Sequence, residues 1–144
     1  RPLGLRLYRF AGATVALMDI DAPMMVVGTA RDHVSPWKSV YKIHLQTDTH
    51  VSFVLAAGGH NAGIVSEPGR PRRSYQIASV EDGAGWVDPD DWVAQTPVVQ
   101  GSWWEAMDRW IKQRSGAPIK AKPIKADKVV CDAPGEYVMV RYAD

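Results

Sequence analysis

The chain has 144 residues, 46% apolar and 23% charged, which suits one soluble domain with its own core and excludes both a disordered chain and two ordinary domains. A formal net charge of +1 gives no general pull toward nucleic acid or anionic lipid, and no apolar run approaches the ~20 residues of a membrane span. The single cysteine, Cys131, excludes an internal disulfide framework and suits a reducing compartment, so a cytoplasmic location is expected, and no signal peptide is seen.

The sequence starts at Arg1 and passes almost at once into strand-like residues, as the C-terminal piece of a longer polypeptide would. Leu5–Met18 alternates apolar residues on either side of Ala11-Gly12 and reads as a β-hairpin. Met24–Thr29 is a continuous apolar run of strand length, as expected for a strand covered on both faces. From Pro36 the apolar spacing changes to three or four, predicting a short helix over Pro36–Gln46 with proline in its first turn. Val51–Ala57 is a second buried-strand pattern, closed by Gly58-Gly59-His60. Residues 24–57 are therefore strand, helix, strand.

A basic Pro/Gly loop, Ser66–Arg73, leads to a strand at Ser74–Ser79. Asp88 and Pro89 are the N-cap and first residue of a short helix. The clearest helix signal follows, with Ser102 and Glu105 as a capping box, Trp103, Met107, Trp110 and Ile111 as an apolar stripe, and Gly116 as the terminator. Pro118–Lys128 repeats a Lys/Pro pattern, and 117–134 is expected to be a linker inside a single domain of residues 1–144. Gly135–Tyr142 reads as a last strand.

A strand-helix-strand unit crosses over right-handed, so both strands end on one edge of the sheet, where open α/β folds place their ligands. With neighbouring strands about 4.8 Å apart, Asp32 after the first and His60 after the second should emerge side by side. An acid that holds an imidazole in one tautomer leaves the ring's other nitrogen to take a proton from a nucleophile. Residues of these types at strand ends are more often caps and solvated loop positions. His33, adjacent to Asp32, is a rival base but more plausibly packs or supports the loop, while His44 and His50 read as packing or surface residues. No metal site is expected, because no histidine pair has the i, i+4 spacing and there is no second cysteine.

The segments "VALMDIDAPMMVVGTARDHVSPWKSVYKIH", "VSFVLAAGGHNAGIVSEPG" and "GSWWEAMDRWIKQRSG" together resemble the C-terminal catalytic part of the polyhydroxyalkanoate synthases, with "APGEYV" echoing that family's ending. The resemblance implies an α/β fold, the C-terminal portion of an α/β-hydrolase domain with an incomplete sheet. It implies an acyltransferase that polymerises 3-hydroxyacyl-CoA into polyester with release of CoA, using a Cys-His-Asp triad and no cofactor. The family's acid falls on Asp32 and its histidine on His60. Association with a polyester granule surface is implied as well, and the uncovered sheet edge suggests a homo-oligomer. The G-x-C-x-G nucleophile elbow is missing, and Cys131 lies downstream in "VVCDAPG", in the wrong order and context. The chain alone is accordingly expected to be inactive. Within the same fold an esterase or depolymerase is the alternative, and outside it a non-catalytic module that binds polymer or a synthase. Trp103 and Trp104 are expected in the core, and Arg70, Arg72 and Arg73 in a solvated loop that could also attract CoA phosphates.

Overall fold

A computed structural model describes residues 8–81 and 83–141. Strands β1 (Tyr8–Phe10) and β2 (Ala13–Val15) form an antiparallel hairpin. Its two-residue turn has positive φ at both Ala11 (49°) and Gly12 (84°), the handedness that matches strand twist. The expected hairpin is longer. Leu5–Leu7 lie outside the described residues, and the second strand stops at Val15, where Leu17–Asp19 form a 3-10 turn. The Asp19 carboxylate accepts the Ala16 N–H at 2.9 Å, which ends the extended run.

The main sheet has four strands in the order β3 (Met24–Thr29), β4 (Val51–Ala56), β5 (Ser74–Val80) and β6 (Val98–Gln100). β3 and β4 are parallel, and the remaining pairs are antiparallel. Between β3 and β4 runs α1 (Trp37–Tyr41), shorter than the helix expected over Pro36–Gln46, with Pro36 at its cap and a 3-10 turn at Lys42–Leu45. Tightening of a last turn is a common way to satisfy helix-end carbonyls, and here the Thr47 hydroxyl also donates to Ile43 O at 3.0 Å. α2 (Pro89–Gln95) starts as expected, its Asp88 side chain accepting the Asp90 N–H at 2.9 Å. β6 was not legible, being three exposed residues long.

β4 is buried along its whole length because both faces of the sheet are covered there. Val54 and Ala56 pack with Tyr75, Trp103 and Ala106, beneath α3 (Trp103–Lys112). On the opposite face Phe53 and Leu55 pack with Tyr41 and Trp92, from α1 and α2. Phe53 has 0% of its surface exposed, so truncation to alanine would cost about 3–5 kcal/mol. On this second face Gln76 donates to Val93 O at 2.8 Å and Thr96 O at 2.6 Å, closing the end of α2. The result is the expected α/β class, a four-stranded mixed sheet, parallel at β3–β4, between helices.

Three expectations near the C-terminus are corrected. The Ser102 hydroxyl accepts the Trp104 N–H at 3.1 Å, one residue short of the Glu105 bond that defines a capping box. α3 ends at Lys112, not at Gly116, because side chains take its last carbonyls: Arg114 donates to Trp110 O at 3.2 Å and Ser115 to Ile111 O at 2.8 Å. The strand expected at Gly135–Tyr142 is instead a 3-10 turn at Tyr137–Met139 with exposed side chains, and Tyr142 lies outside the described residues. A strand needs a partner ladder, and β6 already ends the sheet on that side with three residues. Residues 117–134 are exposed, with one 3-10 turn at Ala126–Lys128.

Candidate active site

The register of the parallel pair brings the site together. Thr29 stands opposite Ala56, so both strands end at one level. The Ala30 N–H donates to Ala56 O at 2.9 Å and the Arg31 N–H to Gly58 O at 2.8 Å, carrying the pairing past the strands. Asp32 and His60 leave the sheet from these two coupled turns, and His60 Nδ1 lies 2.8 Å from Asp32 Oδ2. The two residues singled out in the sequence are in direct contact.

Two glycines permit this. Gly58 has φ +138°, and a Cβ there would sit 2.7 Å from Gly63 Cα. A Cβ on Gly63 would fall 2.5 Å from Thr29 Cγ2. The loop after β4 thus folds back on itself and against the end of β3, which a side chain at either position would prevent.

The Asp32 carboxylate is fully engaged. Oδ1 accepts the Val34 and Ser35 N–H groups, both at 2.8 Å. Oδ2 accepts the Thr29 hydroxyl at 3.3 Å besides meeting His60. The Ser35 N–H bond pulls the acid down most strongly; burial opposes it, and His60 and the Val34 N–H add to the lowering, leaving a pKa of about 2. Asp32 is therefore ionised near neutrality and can only accept, so Nδ1 of His60 carries the shared proton. In the neutral ring that tautomer keeps the lone pair on Nε2. The Asp32 side chain is 8% exposed and that of His60 46%, a fixed acid beside a reachable base. A cleft of about 190 Å³ adjoins them, lined by Val27, Gly28, Val40 and Ile64 among others.

The Thr29 hydroxyl and the Val34 and Ser35 amides were missed in the sequence, although Asp-x-x-Ser-Pro carries the signal of an aspartate that binds the backbone two and three residues on. His33 is exposed and so does not pack, one of the two roles expected for it beside supporting the loop. The His44 ring, half-buried, lies tilted with its centroid 4.7 Å from that of Tyr41, and burial lowers its pKa. His50 joins Glu81 at 3.1 Å. Arg70 pairs with Glu67 at 3.2 Å, and Arg73 donates to Val65 O at 3.3 Å. Cys131 is exposed. Among the described residues no group of three His, Cys, Asp or Glu side chains could hold a metal ion, and no helix is long and apolar enough to cross a membrane.

No family model matches the chain. Individual proteins do. It is 31% identical over 135 residues to the poly(3-hydroxyalkanoate) polymerase subunit PhaC of Rhizobium meliloti (strain 1021), covering 91% of this chain and 21% of that protein. To poly(3-hydroxyalkanoate) polymerase 2 of Ectopseudomonas oleovorans it is 32% identical over 144 residues, 97% of this chain and 24% of the relative. To the subunit PhaC of Cupriavidus necator it is 31% identical over 133 residues, 90% and 22%. The chain spans about a fifth to a quarter of the length of these curated relatives. Over its own length, then, the chain is homologous to one part of the poly(3-hydroxyalkanoate) polymerases.

Proposed function

We propose that the chain supplies the acid and base of an acyltransferase that builds polyester from 3-hydroxyacyl-CoA, as the C-terminal part of a polymerase's catalytic domain. The observation that carries this is the 2.8 Å contact between His60 Nδ1 and an ionised, fully hydrogen-bonded Asp32, beside an open cleft. The thiol nucleophile would come from the portion of the polymerase that this chain does not match.

In this reading His60 Nε2 takes the thiol proton. The thiolate attacks the thioester carbonyl, a C–S bond forms as the bond to CoA breaks, and the leaving CoA thiolate takes the proton back from the imidazolium. The hydroxyl of a second acyl group then gives its proton to Nε2 and attacks the enzyme-bound thioester, so an ester C–O bond forms and the thiol is regenerated. Asp32 stays ionised throughout, holding the tautomer and stabilising the transient imidazolium. Alone, the chain has base and acid without nucleophile and does not turn over. Self-association, a cytoplasmic location and contact with a polyester granule belong to the same proposal.

The test is His60→Ala in the full-length polymerase, read by CoA release from 3-hydroxybutyryl-CoA. Loss of turnover to background is expected. Turnover at the wild-type rate would end the assignment.

A further inference from the structure

The Ser-Trp-Trp run that opens α3 lies beyond the dyad's reacting atoms, yet its side chains bind the loop that carries His60. The Trp103 indole N–H donates to Gly63 O at 3.0 Å and the Trp104 indole N–H to Ile64 O at 2.9 Å. The Ser102 hydroxyl donates to Ser66 O. Within that loop Gly63 N bonds Gly59 O at 2.8 Å and Val65 N bonds Asn61 O at 2.9 Å, a single helical turn. Such a turn leaves its last carbonyls without partners of their own; the Trp103 and Trp104 side chains provide them for Gly63 and Ile64, and the N-cap Ser102 holds Ser66 just beyond the turn.

We infer that Ser102, Trp103 and Trp104 are positioning residues, a clamp that sets the His60 imidazole against Asp32. Filling of the core does not account for the arrangement, since phenylalanine would fill comparable space without a donor. Elsewhere the molecule leaves indoles unbonded: Trp92 Nε1 and Trp110 Nε1 are buried without a partner among the described residues. The clamp also reaches the acid. Gly63, held by Trp103, lies against the Thr29 methyl, and the Thr29 hydroxyl bonds Asp32 Oδ2. A slip of Gly63 is therefore passed to both members of the dyad. Each bond contributes only about 1 kcal/mol to stability, whereas misplacing a reacting group by about 1 Å can cost on the order of a hundredfold in rate. Rate should suffer more than folding.

The inference rests on Asp32 and His60 being the catalytic pair, and the test separates the two. Trp103→Phe, Trp104→Phe, Trp110→Phe and His60→Ala are made in the protein as its gene encodes it. Thermal midpoint, CoA release and the ¹⁵N signals of the His60 ring are recorded. For Trp103→Phe and Trp104→Phe, kcat should fall about tenfold or more with KM held within about twofold, and the ring signals should move away from the fixed Nδ1–H tautomer. Trp110→Phe, on the same helix, should change neither. If both clamp variants keep kcat and ring signals while His60→Ala is dead, the clamp falls and the dyad stands. If His60→Ala still turns over, the dyad reading falls, and the ring signals alone decide the clamp, movement supporting it and constancy overturning it. Trp104, less buried than Trp103, provides the second variant should Trp103→Phe fail to fold.

Discussion

β4 has an imidazole–carboxylate pair at each end. At its carboxyl end His60 meets Asp32 at 2.8 Å, and at its amino end His50 meets Glu81 at 3.1 Å. By distance alone the two are nearly equivalent. Their surroundings are not. Asp32 accepts from two backbone amides and a hydroxyl, and its side chain is 8% exposed; that of Glu81 is 79% exposed. The second ring nitrogen of His50 is already bonded, to Ser52 Oγ at 3.2 Å, which in turn meets Ser79 Oγ at 2.8 Å. That imidazole is consumed in tying β4 to β5, whereas Nε2 of His60 has no partner among the described residues. A base is made by what holds its acid and by what leaves its far nitrogen open.

The sharpest way to break this comparison is to neutralise each acid in turn in the protein as its gene encodes it, assayed for the proposed CoA release. Asp32→Asn should reduce CoA release by about 10²–10⁴-fold, because an amide can donate to Nδ1 and favours the wrong tautomer. Glu81→Gln should leave the rate within about twofold, since its histidine has no open nitrogen to offer. Equal losses from the two variants would dissolve the distinction.

A smaller effect tests the frame around the acid. Thr29→Val keeps the shape of a residue that is 1% exposed and deletes the hydroxyl on Asp32 Oδ2. Turnover should drop about tenfold or more, since one hydrogen bond to a charged group contributes about 1.5–3 kcal/mol. Thr29→Ser keeps the donor and should recover most of the rate while losing some packing. Recovery by valine and not by serine would place the role of Thr29 in packing alone.

Asp32 and His60 were legible because a right-handed crossover between the runs Met24–Thr29 and Val51–Ala56 ends both strands on one edge of the sheet, so residues just past them are neighbours wherever the two strands pair. The frame was less legible. Thr29 looks like one more β-branched strand residue, and Gly63 gains its meaning from a contact with Thr29 across 34 positions of chain. The C-terminal strand was misread for a related reason. Gly135–Tyr142 has strand composition, but composition cannot say whether a partner is free, and its Tyr137 side chain ends up exposed. The terminator at Gly116 failed because Arg114 and Ser115 reach the helix carbonyls first.

The smallest expected difference between the two pairs is in folding stability at low pH. Asp32 has its acidity raised by folding, to a pKa of about 2 from the ordinary 3.8, so its contribution is complete above the ordinary value. Protons bind the unfolded chain first as pH falls below it, and the contribution is lost down through about pH 2. Wild type minus Asp32→Asn, measured as urea midpoints, should therefore shrink steadily between about pH 4 and 2. Glu81 faces solvent, where an ion pair contributes about 0–1 kcal/mol and is screened by salt. Wild type minus Glu81→Gln should stay small at every pH and fall further in 1 M salt. An Asp32 difference that vanished in salt as the Glu81 difference does would mean that the carboxylate is held by charge and not by the Val34 and Ser35 amides, and the contrast between the two ends of β4 would lose its physical basis.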